Sequence, residues 1–377
     1  MSAARILVLN FGSSSLKASL IEPPDHTIAR AEERWDSASS DLSDIVPLVR
    51  NLLLRLEMSV NDTGLDGVGY RVVHGGHRFP GPARISVDVI ADIEAVEELA
   101  PLHNILALQT IAAGRALLPE VPHVACMDTS FHSTLPEAAY RYPLPELWYT
   151  EWGVRRFGFH GLSVAWSVRR ASDLLDRPID DLRLVVAHLG SGCSVTAVDG
   201  GRSVDTTMGL TPLEGLMMGT RSGSVDPGVL LHLLESGKLS PVELRRALEH
   251  ESGLKGVSGL GSDMRQVQEA AGLGDKRAEL ALAMFIRRSA LAVGAAATSL
   301  NSLDGVIFTG GIGEHAHAVR KRIVDRLAVL GVSSICNDVE KDSDNILSEP
   351  GAGVPVLRVE AREDLVIACE TAGLLGL

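Results

Sequence analysis

The chain has 377 residues, of which 45% are hydrophobic and 22% charged, and this ordinary globular composition excludes a largely disordered protein. The 35 basic and 48 acidic residues give a net charge of −13, which argues against general binding to nucleic-acid backbones. At about 150 residues per domain, the length suggests two domains.

Short apolar runs alternate with amphipathic patterns along the whole chain, which predicts an α/β fold. The predicted strands are 6–9, 16–21, 67–73, 121–127, 184–188, 194–198, 306–309 and 354–359. The predicted helices are 42–56, 90–99, 105–117, 164–175, 241–252, 263–271, 278–300 and 318–330.

The sequence favours a cytoplasmic protein. Its four cysteines lie far apart without a C-x-x-C pair, which is typical of reduced thiols. The N-terminus leads directly into a predicted strand, without the apolar core of a signal peptide. The apolar segment near 280–300 is interrupted by Arg287 and Arg288, so we expect no membrane span.

Residues 7–20 resemble residues 185–198: each segment is an apolar strand, a Gly/Ser turn and a second strand. Aligning Gly12 with Gly190 gives an offset of 178 residues, about half the chain, as expected of a duplicated domain. A chance match of two hairpins is an equal alternative. Backbone N–H groups and hydroxyls in such turns can bind phosphate, although many Gly/Ser hairpins are only turns.

A third glycine cluster, at 309–316, follows a predicted strand, and Gly311, Gly313 and Ala316 fit G-x-G-x-x-A. Only 64 residues follow Gly313, too few for a complete dinucleotide domain. This length argues against the alternative function of a dehydrogenase. A nucleotide site and a plain tight turn are equally well supported interpretations of this cluster. The Walker motif, G-x-S-x-G and H-E-x-x-H do not occur, which argues against P-loop enzymes, serine hydrolases and zinc proteases.

Two arginines and two carboxylates have sequence neighbours that are typical of a binding or catalytic site. Arg71 and Arg221 lie in glycine-rich segments, where a guanidinium can contact carboxylate or phosphate, a surface salt bridge being the alternative. Asp128 ends a predicted strand, a frequent site position in α/β proteins. Glu363 begins the last predicted helix, where it could equally serve the helix dipole.

Seven histidines have neighbours that raise the question of a metal site or a catalytic role. The pairs His74/His77 and His315/His317 have no third ligand at a conventional spacing, so a transition-metal site is not indicated. The others, in apolar or glycine-rich surroundings, are as compatible with structural roles as with catalytic ones: His103, His160 and His188.

These segments together resemble the acetate kinase family, in order and over essentially the whole chain. The matching segments are 10–17, 70–76, 100–104, 128–132, 157–161, 188–198, 208–227, 256–265, 308–314 and 363–371. The resemblance implies two duplicated actin-like/ribonuclease H-like α/β domains with an interdomain cleft, formed by 1–132 with 363–377 and by 133–362. It implies a cytoplasmic homodimer that transfers phosphoryl groups reversibly between ATP and acetate, giving ADP and acetyl phosphate, with Mg²⁺ or, alternatively, Mn²⁺.

The resemblance also assigns roles to residues of this chain. The catalytic group comprises Arg71, Asp128, His160 and Arg221, and His103 is a further active-site histidine. The acetate pocket comprises Arg71, Val73, Leu102, Phe159 and Pro212. Phosphate and nucleotide binding fall to Ser13, Ser15, Lys17, His188, Gly190, Ser191, Gly192, Asp263, Met264, Arg265, Gly311, Ile312, Gly313 and His315. Magnesium is assigned to Asn10 and Glu363.

The chain departs from the family pattern at positions that bear on nucleotide preference and rate. Ser191 and His315 replace asparagines, Met264 replaces a phenylalanine, and Leu-Ser-Val at 162–164 replaces Thr-Ser-His. A propionate kinase and a catalytically weak nucleotide-binding protein are the alternatives. The retained arginines, Asp128, His160 and Glu363 favour an active kinase.

Overall fold

The computed structural model describes residues 4–12, 15–34, 45–58, 64–336 and 344–377, without the side chains of residues 101 and 102. The chain divides into two compact units. The first unit comprises Met1–Ser133, Phe159–Leu162 and Arg362–Leu377, and the second comprises Thr134–Gly158 and Ser163–Ala361.

The elements up to residue 133 belong to the first unit. Its strands are β1 (Ile6–Phe11), β2 (Ser15–Glu22), β3 (His26–Arg34), β4 (Gly67–Val72), β5 (Ala83–Arg84) and β6 (His123–Met127). Its α-helices in this range are α1 (Val46–Arg55), α2 (Val87–Glu94) and α3 (Pro101–Leu117), with 3₁₀ turns at Glu97–Leu99 and Ser130–Thr134.

The elements after residue 133 belong to the second unit, apart from the last helix and from Gly161 and Leu162, with which another helix begins. The strands are β7 (Arg183–Leu189), β8 (Cys193–Asp199), β9 (Arg202–Thr206), β10 (Gly305–Thr309), β11 (Asn345–Ile346) and β12 (Val356–Arg358). The helices are α4 (Glu137–Tyr140), α5 (Glu146–Thr150), α6 (Gly161–Leu175), α7 (Pro227–Glu235), α8 (Pro241–His250), α9 (Gly253–Ser258), α10 (Met264–Gly272), α11 (Lys276–Ala297), α12 (Gly310–His315), α13 (His317–Val324) and α14 (Glu363–Leu375). Further 3₁₀ turns lie at Ile179–Asp181 and Ala328–Leu330.

The sheet of the first unit has the order β3-β2-β1-β4-β6-β5. Strands β1, β4 and β6 run parallel, whereas β2, β3 and β5 pair antiparallel with their neighbours. Side chains on the two faces alternate: a Cβ on Gly69 would meet Ile367 and Thr371 of α14, while the hydroxyl of the next residue, Tyr70, reaches Gly114 of α3. Helices therefore cover both faces, and the parallel strands β1, β4 and β6 are almost entirely buried.

The sheet of the second unit repeats this topology. Its order is β11-β12-β10-β7-β8-β9, with β7, β10 and β12 parallel and the remaining pairs antiparallel. The hairpin β7–β8 corresponds to β1–β2, so Gly190 occupies the place that Gly12 has in the first sheet. The strand order thus favours the duplicated domain over a chance match of two hairpins, the two alternatives that the repeat had left open, and the predicted α/β fold class is confirmed.

Helix α11 is long and apolar enough to cross a membrane, if judged by length and composition alone. The mean hydropathy of its most apolar window is 1.5, and 44% of that window is buried. The helix packs against β7 and β8, and its buried residues include Phe285, Ile286 and Val293. A core helix of a globular protein passes the same test.

Several predicted elements have different bounds in the structure. The predicted helix 90–99 is α2 followed by the separate 3₁₀ turn Glu97–Leu99, and the predicted helix 318–330 ends at Val324 before a second 3₁₀ turn. Residues 42–44 of the predicted helix 42–56 lie outside the described residues. Strands β3 and β9 were not predicted, because their polar residues give no continuous apolar run.

Candidate active site

Four polar side chains meet where strands of the first sheet end. Arg71, near the end of β4, donates from Nε and Nη2 to Oδ2 of Asp128, at 3.1 and 2.5 Å. Its Nη1 lies 3.5 Å from Oε2 of Glu363, the first residue of α14. Asn10, on β1, donates from Nδ2 to the same Oε2 at 2.9 Å. The structure therefore brings together two predicted catalytic residues and both predicted metal ligands.

The charges in this cluster act strongly on one another, because the cluster is buried. Burial raises the pKa of Asp128 to about 6; the Arg71 charge opposes this shift and the Glu363 charge adds to it. Burial would lower the pKa of Arg71, but the charges of Asp128 and Glu363 raise it above its ordinary value. Arg71 is thus permanently protonated, and the two carboxylates fix the direction of its guanidinium.

The same cluster has ligands that suit Mg²⁺. Oδ1 of Asp128 is buried without a hydrogen-bond partner among the described residues, as expected of an oxygen that awaits a cation or a bound water. Glu363 and Asn10 add carboxylate and amide oxygens, the donors that Mg²⁺ prefers. Within the described part of the chain no three His, Cys, Asp or Glu residues form a complete metal site. Mg²⁺ usually keeps several waters and binds substrate phosphates, so a partial set is compatible with it.

Residues 159–161 form a strained loop beside Asp128. His160 has φ +61°, the left-handed conformation that residues with a Cβ rarely adopt. The amide of Gly161 donates to the carbonyl oxygen of Asp128 at 2.9 Å. A Cβ on Gly161 would clash with that oxygen and with Phe131, so only glycine allows this approach. His160 is therefore held directly before Gly161, the residue whose amide is bonded to Asp128.

The predicted acetate pocket is only partly represented. Val73 and Phe159 are both buried in the first unit, and the Phe159 ring contacts the ring of His74 edge-on at 5.3 Å between centroids. Pro212 belongs to the second unit, and the side chain of Leu102 lies outside the described residues. The pocket as a whole stays a prediction.

Arg221, in the second unit, has different surroundings from Arg71. Its Nη1 donates to the carbonyl oxygen of Pro212 at 2.6 Å. Among the described residues no carboxylate forms an ion pair with it, and burial lowers its pKa below the usual value. A guanidinium that is desolvated and lacks a carboxylate partner is a good receptor for an anion.

A polar network that the sequence did not reveal supports the loop before Arg221. Glu214 accepts hydrogen bonds from the Tyr142 hydroxyl at 2.5 Å and from Nη2 of Arg156 at 2.8 Å. Nη1 of Arg156 donates to the carbonyl oxygens of Thr207 and Met208, at 2.9 and 3.1 Å. The network ties both ends of the 207–214 segment, which carries Pro212. Tyr142 and Arg156 lie 72 and 58 positions before Glu214 in the sequence, so no local motif links them.

The second Gly/Ser hairpin, His188 and the third glycine cluster come together in the second unit. Nδ1 of His188 lies 2.9 Å from the hydroxyl oxygen of Ser163. Cβ atoms added to Gly190 and Gly310 would lie 3.6 and 3.0 Å from Nε2 of His188. The carbonyl oxygen of Ser191 accepts from the amide of Gly219, at 3.2 Å, in the loop of Arg221. Predicted phosphate-binding residues of two segments, the hairpin at 188–192 and the third glycine cluster, are therefore neighbours.

The third glycine cluster forms the short helix α12 itself. The sequence had suggested a turn between a strand and a following helix. A Cβ on Gly311 would meet nothing within 4 Å, so this position faces open space. The buried Arg320 donates from Nη1 to the carbonyl oxygens of Gly313 and Glu314, at 2.8 and 2.6 Å. His315 is largely exposed, 3.8 Å from the carboxylate of Glu314. The cluster is thus fixed by Arg320 at Gly313 and Glu314 and is open at Gly311.

The other predicted nucleotide residues are more peripheral. Asp263 caps α10, accepts from the amide of Arg265 and forms an ion pair with its exposed guanidinium, while Met264 is buried. In the first hairpin Ser15 is buried and Lys17 is exposed. Ser13 lies outside the described residues, and His103 lies in the first turn of α3.

Comparisons with known proteins identify the family. The family model described as "Acetokinase family" matches residues 28–369. The chain belongs to the acetokinase family. An acetate kinase of Deinococcus radiodurans is 44% identical over 390 residues, which cover 98% of each chain. An acetate kinase of Geobacillus kaustophilus is 40% identical, with 99% of this chain and 100% of that protein covered.

Solved structures agree with the acetokinase assignment. Porphyromonas gingivalis acetate kinase superposes with a TM-score of 0.87 at 34% identity, covering 99% of this chain and 100% of that one. A propionate kinase from Francisella tularensis gives 0.86 at 34% identity, covering 98% and 99%. The predicted family and the predicted actin-like fold are confirmed.

Proposed function

We propose that the chain is an acetate kinase, which transfers the γ-phosphoryl group of ATP to acetate and releases ADP and acetyl phosphate, reversibly. A carboxylate oxygen of acetate attacks the γ-phosphorus while the bond to the β,γ-bridging oxygen breaks, so transfer is direct and in line. Membership of the acetokinase family supports the reaction. The single observation that carries the mechanism is the different pairing of Arg71 and Arg221.

The two arginines have complementary tasks in this proposal. Arg71 is held by Asp128 and Glu363, so it presents a fixed guanidinium that orients the acetate carboxylate. Arg221 has a carbonyl and no carboxylate as partner, so its charge is available to the phosphoryl oxygens. His160, held next to Asp128, donates a further hydrogen bond to the transferring group. Charge neutralisation and alignment are what phosphoryl transfer chiefly needs.

Asn10, Glu363 and Oδ1 of Asp128 would hold Mg²⁺, with Mn²⁺ as the alternative ion. When bound, the metal neutralises charge on the phosphates of ATP. The positive charge of Arg71 offsets part of the repulsion between Asp128 and Glu363, so that both carboxylates can remain close.

The nucleotide binds, in this proposal, to the second unit. Amides and hydroxyls of residues 190–192 and the imidazole of His188 receive phosphates, and the open position at Gly311 leaves room for adenosine. Ile312, Gly313, His315, Asp263, Met264 and Arg265 complete this side. Ser13, Ser15 and Lys17 of the first hairpin contribute further phosphate contacts, and His103 a further active-site group.

Propionate is the second candidate substrate, because the solved relative from Francisella is a propionate kinase at the same identity as the acetate kinase from Porphyromonas. A catalytically weak nucleotide-binding protein is the candidate from another class. The intact pairing of Arg71 with Asp128 favours a working kinase over that alternative.

We also propose a cytoplasmic homodimer without nucleic-acid or membrane partners, and functional domains at 1–132 with 363–377 and at 133–362. Light scattering of the purified chain tests the dimer: the mass should be about twice the chain mass of 40.1 kDa.

Kinetics with ATP and formate, acetate, propionate or butyrate test the substrate. We expect the highest kcat/KM with acetate. A higher value with propionate would make the second candidate correct, and no turnover with any of the four acids would favour the weak nucleotide-binding protein.

A further inference from the structure

We propose that His132 is a positioning residue for the phosphoryl transfer: it holds the strained loop that carries His160. The inference rests on the proposed function, because it assigns His132 an effect on the kinase reaction. His132 itself contacts neither substrate in this proposal; it acts through Phe159 and His160.

The hydrogen bond of His132 is unambiguous in direction. Its side chain is 1% exposed, and Nε2 lies 3.0 Å from the carbonyl oxygen of Phe159. A carbonyl oxygen can only accept, so Nε2 carries the proton. Burial lowers the pKa of His132 to about 4, so the ring is a neutral donor near pH 7. The ring also stands edge-on to Phe131, at 5.8 Å between centroids, which limits its rotation.

One short turn of the chain therefore holds His160 from both sides. Ahead of it, the carbonyl of Phe159 accepts from His132; behind it, the amide of Gly161 donates to the carbonyl of Asp128. Residues 128 and 132 flank the start of the same 3₁₀ turn, Ser130–Thr134. Backbone held on both sides can keep a non-glycine residue at φ +61°, which would otherwise relax.

The consequence is specific to the site. Without the His132 bond, the carbonyl of Phe159 loses its buried partner, and the peptide between Phe159 and His160 can tilt about its remaining hydrogen bond, from the His160 amide to the Asp128 carboxylate. This movement displaces a residue of the proposed acetate pocket and the proposed phosphoryl-binding histidine together. Since small misplacements of reacting groups cost large factors in rate, we expect an effect on kcat and on the KM for acetate, with the KM for ATP unchanged.

Three substitutions test the bond. In His132→Gln the amide nitrogen can reach the carbonyl, in His132→Asn the amide is too short, and in His132→Leu the donor is lost. We expect kcat to fall about ten- to a hundredfold in the Asn and Leu variants, and the Gln variant to recover most of it. The KM for ATP should stay within about twofold of the unsubstituted protein, as that site is not moved.

His123 provides a matched control, since it is also buried in the first unit and its Nε2 bonds a carbonyl, that of Leu118, at 3.0 Å. His123→Leu should lower the Tm but leave kcat nearly unchanged. Equal kcat values for the Gln and Asn variants would overturn the proposal, whether or not the Leu variant folds. So would an equal loss of kcat in His123→Leu. If the unsubstituted protein forms no ADP with acetate, the proposed function fails and not this inference alone.

Discussion

Arg221 donates a hydrogen bond from Nη1 to the carbonyl oxygen of Pro212, at 2.6 Å, and has no carboxylate partner among the described residues. Arg71, by contrast, bonds Asp128 twice and lies 3.5 Å from Glu363. A carbonyl orients a guanidinium without neutralising it, so Arg221 keeps a full positive charge in partly buried surroundings. The protein therefore has one arginine compensated by its own carboxylates and one that an anionic substrate can compensate.

Replacement of Arg221 by alanine should lower kcat/KM about a hundred- to a thousandfold, because loss of one transition-state charge contact costs about 2.7–4 kcal/mol. The fold should persist, since the lost bond is a single one to Pro212. Arg246→Ala, at an exposed residue that pairs with Glu251, changes the net charge equally and is the control. Near-normal turnover in a folded Arg221→Ala protein would contradict the role given to this residue.

Replacement of Val73 by alanine should shift the substrate preference towards longer acids. Val73 is buried in the first unit, and the space of the lost methyl groups can accept an added methylene, worth about 1–3 kcal/mol in such a pocket. The ratio of kcat/KM for butyrate to that for acetate should rise. Val185→Ala, at a buried residue of β7, removes the same atoms elsewhere and should leave the ratio unchanged. An unchanged ratio in Val73→Ala would place the pocket elsewhere.

Replacement of Gly311 by leucine should raise the KM for ATP strongly and leave the Tm nearly unchanged. The added side chain enters open space and meets no protein atom at its Cβ, so only a ligand there is displaced. Gly353→Leu, also at an open position, is the control and should leave the KM for ATP unaltered. An unaffected KM in Gly311→Leu would remove adenosine from this cluster.

Replacement of Glu363 by glutamine should raise the Mg²⁺ concentration that half-saturates activity, because a neutral oxygen binds Mg²⁺ less well than a carboxylate. Asp364→Asn is the control at the next residue, whose carboxylate pairs with Arg30 and Arg362. Titration of activity with Mg²⁺ after treatment with EDTA measures the difference. Identical titration curves for the two variants would exclude Glu363 as a ligand.

The buried His132 should make the first unit sensitive to acid. Its pKa is lowered from 6.5 to about 4, so the unfolded chain binds a proton more readily than the folded one between these values. The contribution of neutral His132 to the free energy of unfolding is therefore complete above about pH 6.5. It falls by roughly 3 kcal/mol as the pH drops towards 4. Urea unfolding at pH 7 and pH 5 should show a smaller loss in His132→Gln, which cannot titrate. An equal loss in both proteins would contradict the shift.

Strand and hairpin positions could be predicted from the sequence where apolar runs are continuous. The repeat of residues 7–20 at 185–198 corresponds to β1–β2 and β7–β8, although the repeat alone left a duplicated domain and a chance match as equal alternatives. Arg71 was singled out by its glycine-rich segment, Asp128 by its place at the end of a predicted strand and Glu363 by its place at the start of a helix, and the three do lie together. Nothing local, however, shows that β3 and β9 are strands, since their polar residues follow no apolar alternation strong enough to detect.

The supporting residues could not be predicted, because their partners are distant in the sequence. His132 bonds Phe159 across 27 positions, and Tyr142 bonds Glu214 across 72. Such contacts follow from tertiary packing, which neither spacing nor residue type encodes. His132 lies in the matched segment 128–132, but the resemblance assigned it no role, and Tyr142 lies outside the matched segments.

The most direct test of the proposed reaction is whether the purified protein, with ATP, acetate and Mg²⁺, forms ADP and acetyl phosphate in equal amounts. ADP can be measured by a coupled assay and acetyl phosphate by trapping with hydroxylamine. We expect equal amounts of both products, dependent on acetate, and little of either in Arg221→Ala or Arg71→Ala. ADP formed without acetate, or without acetyl phosphate, would contradict direct transfer between ATP and the acid.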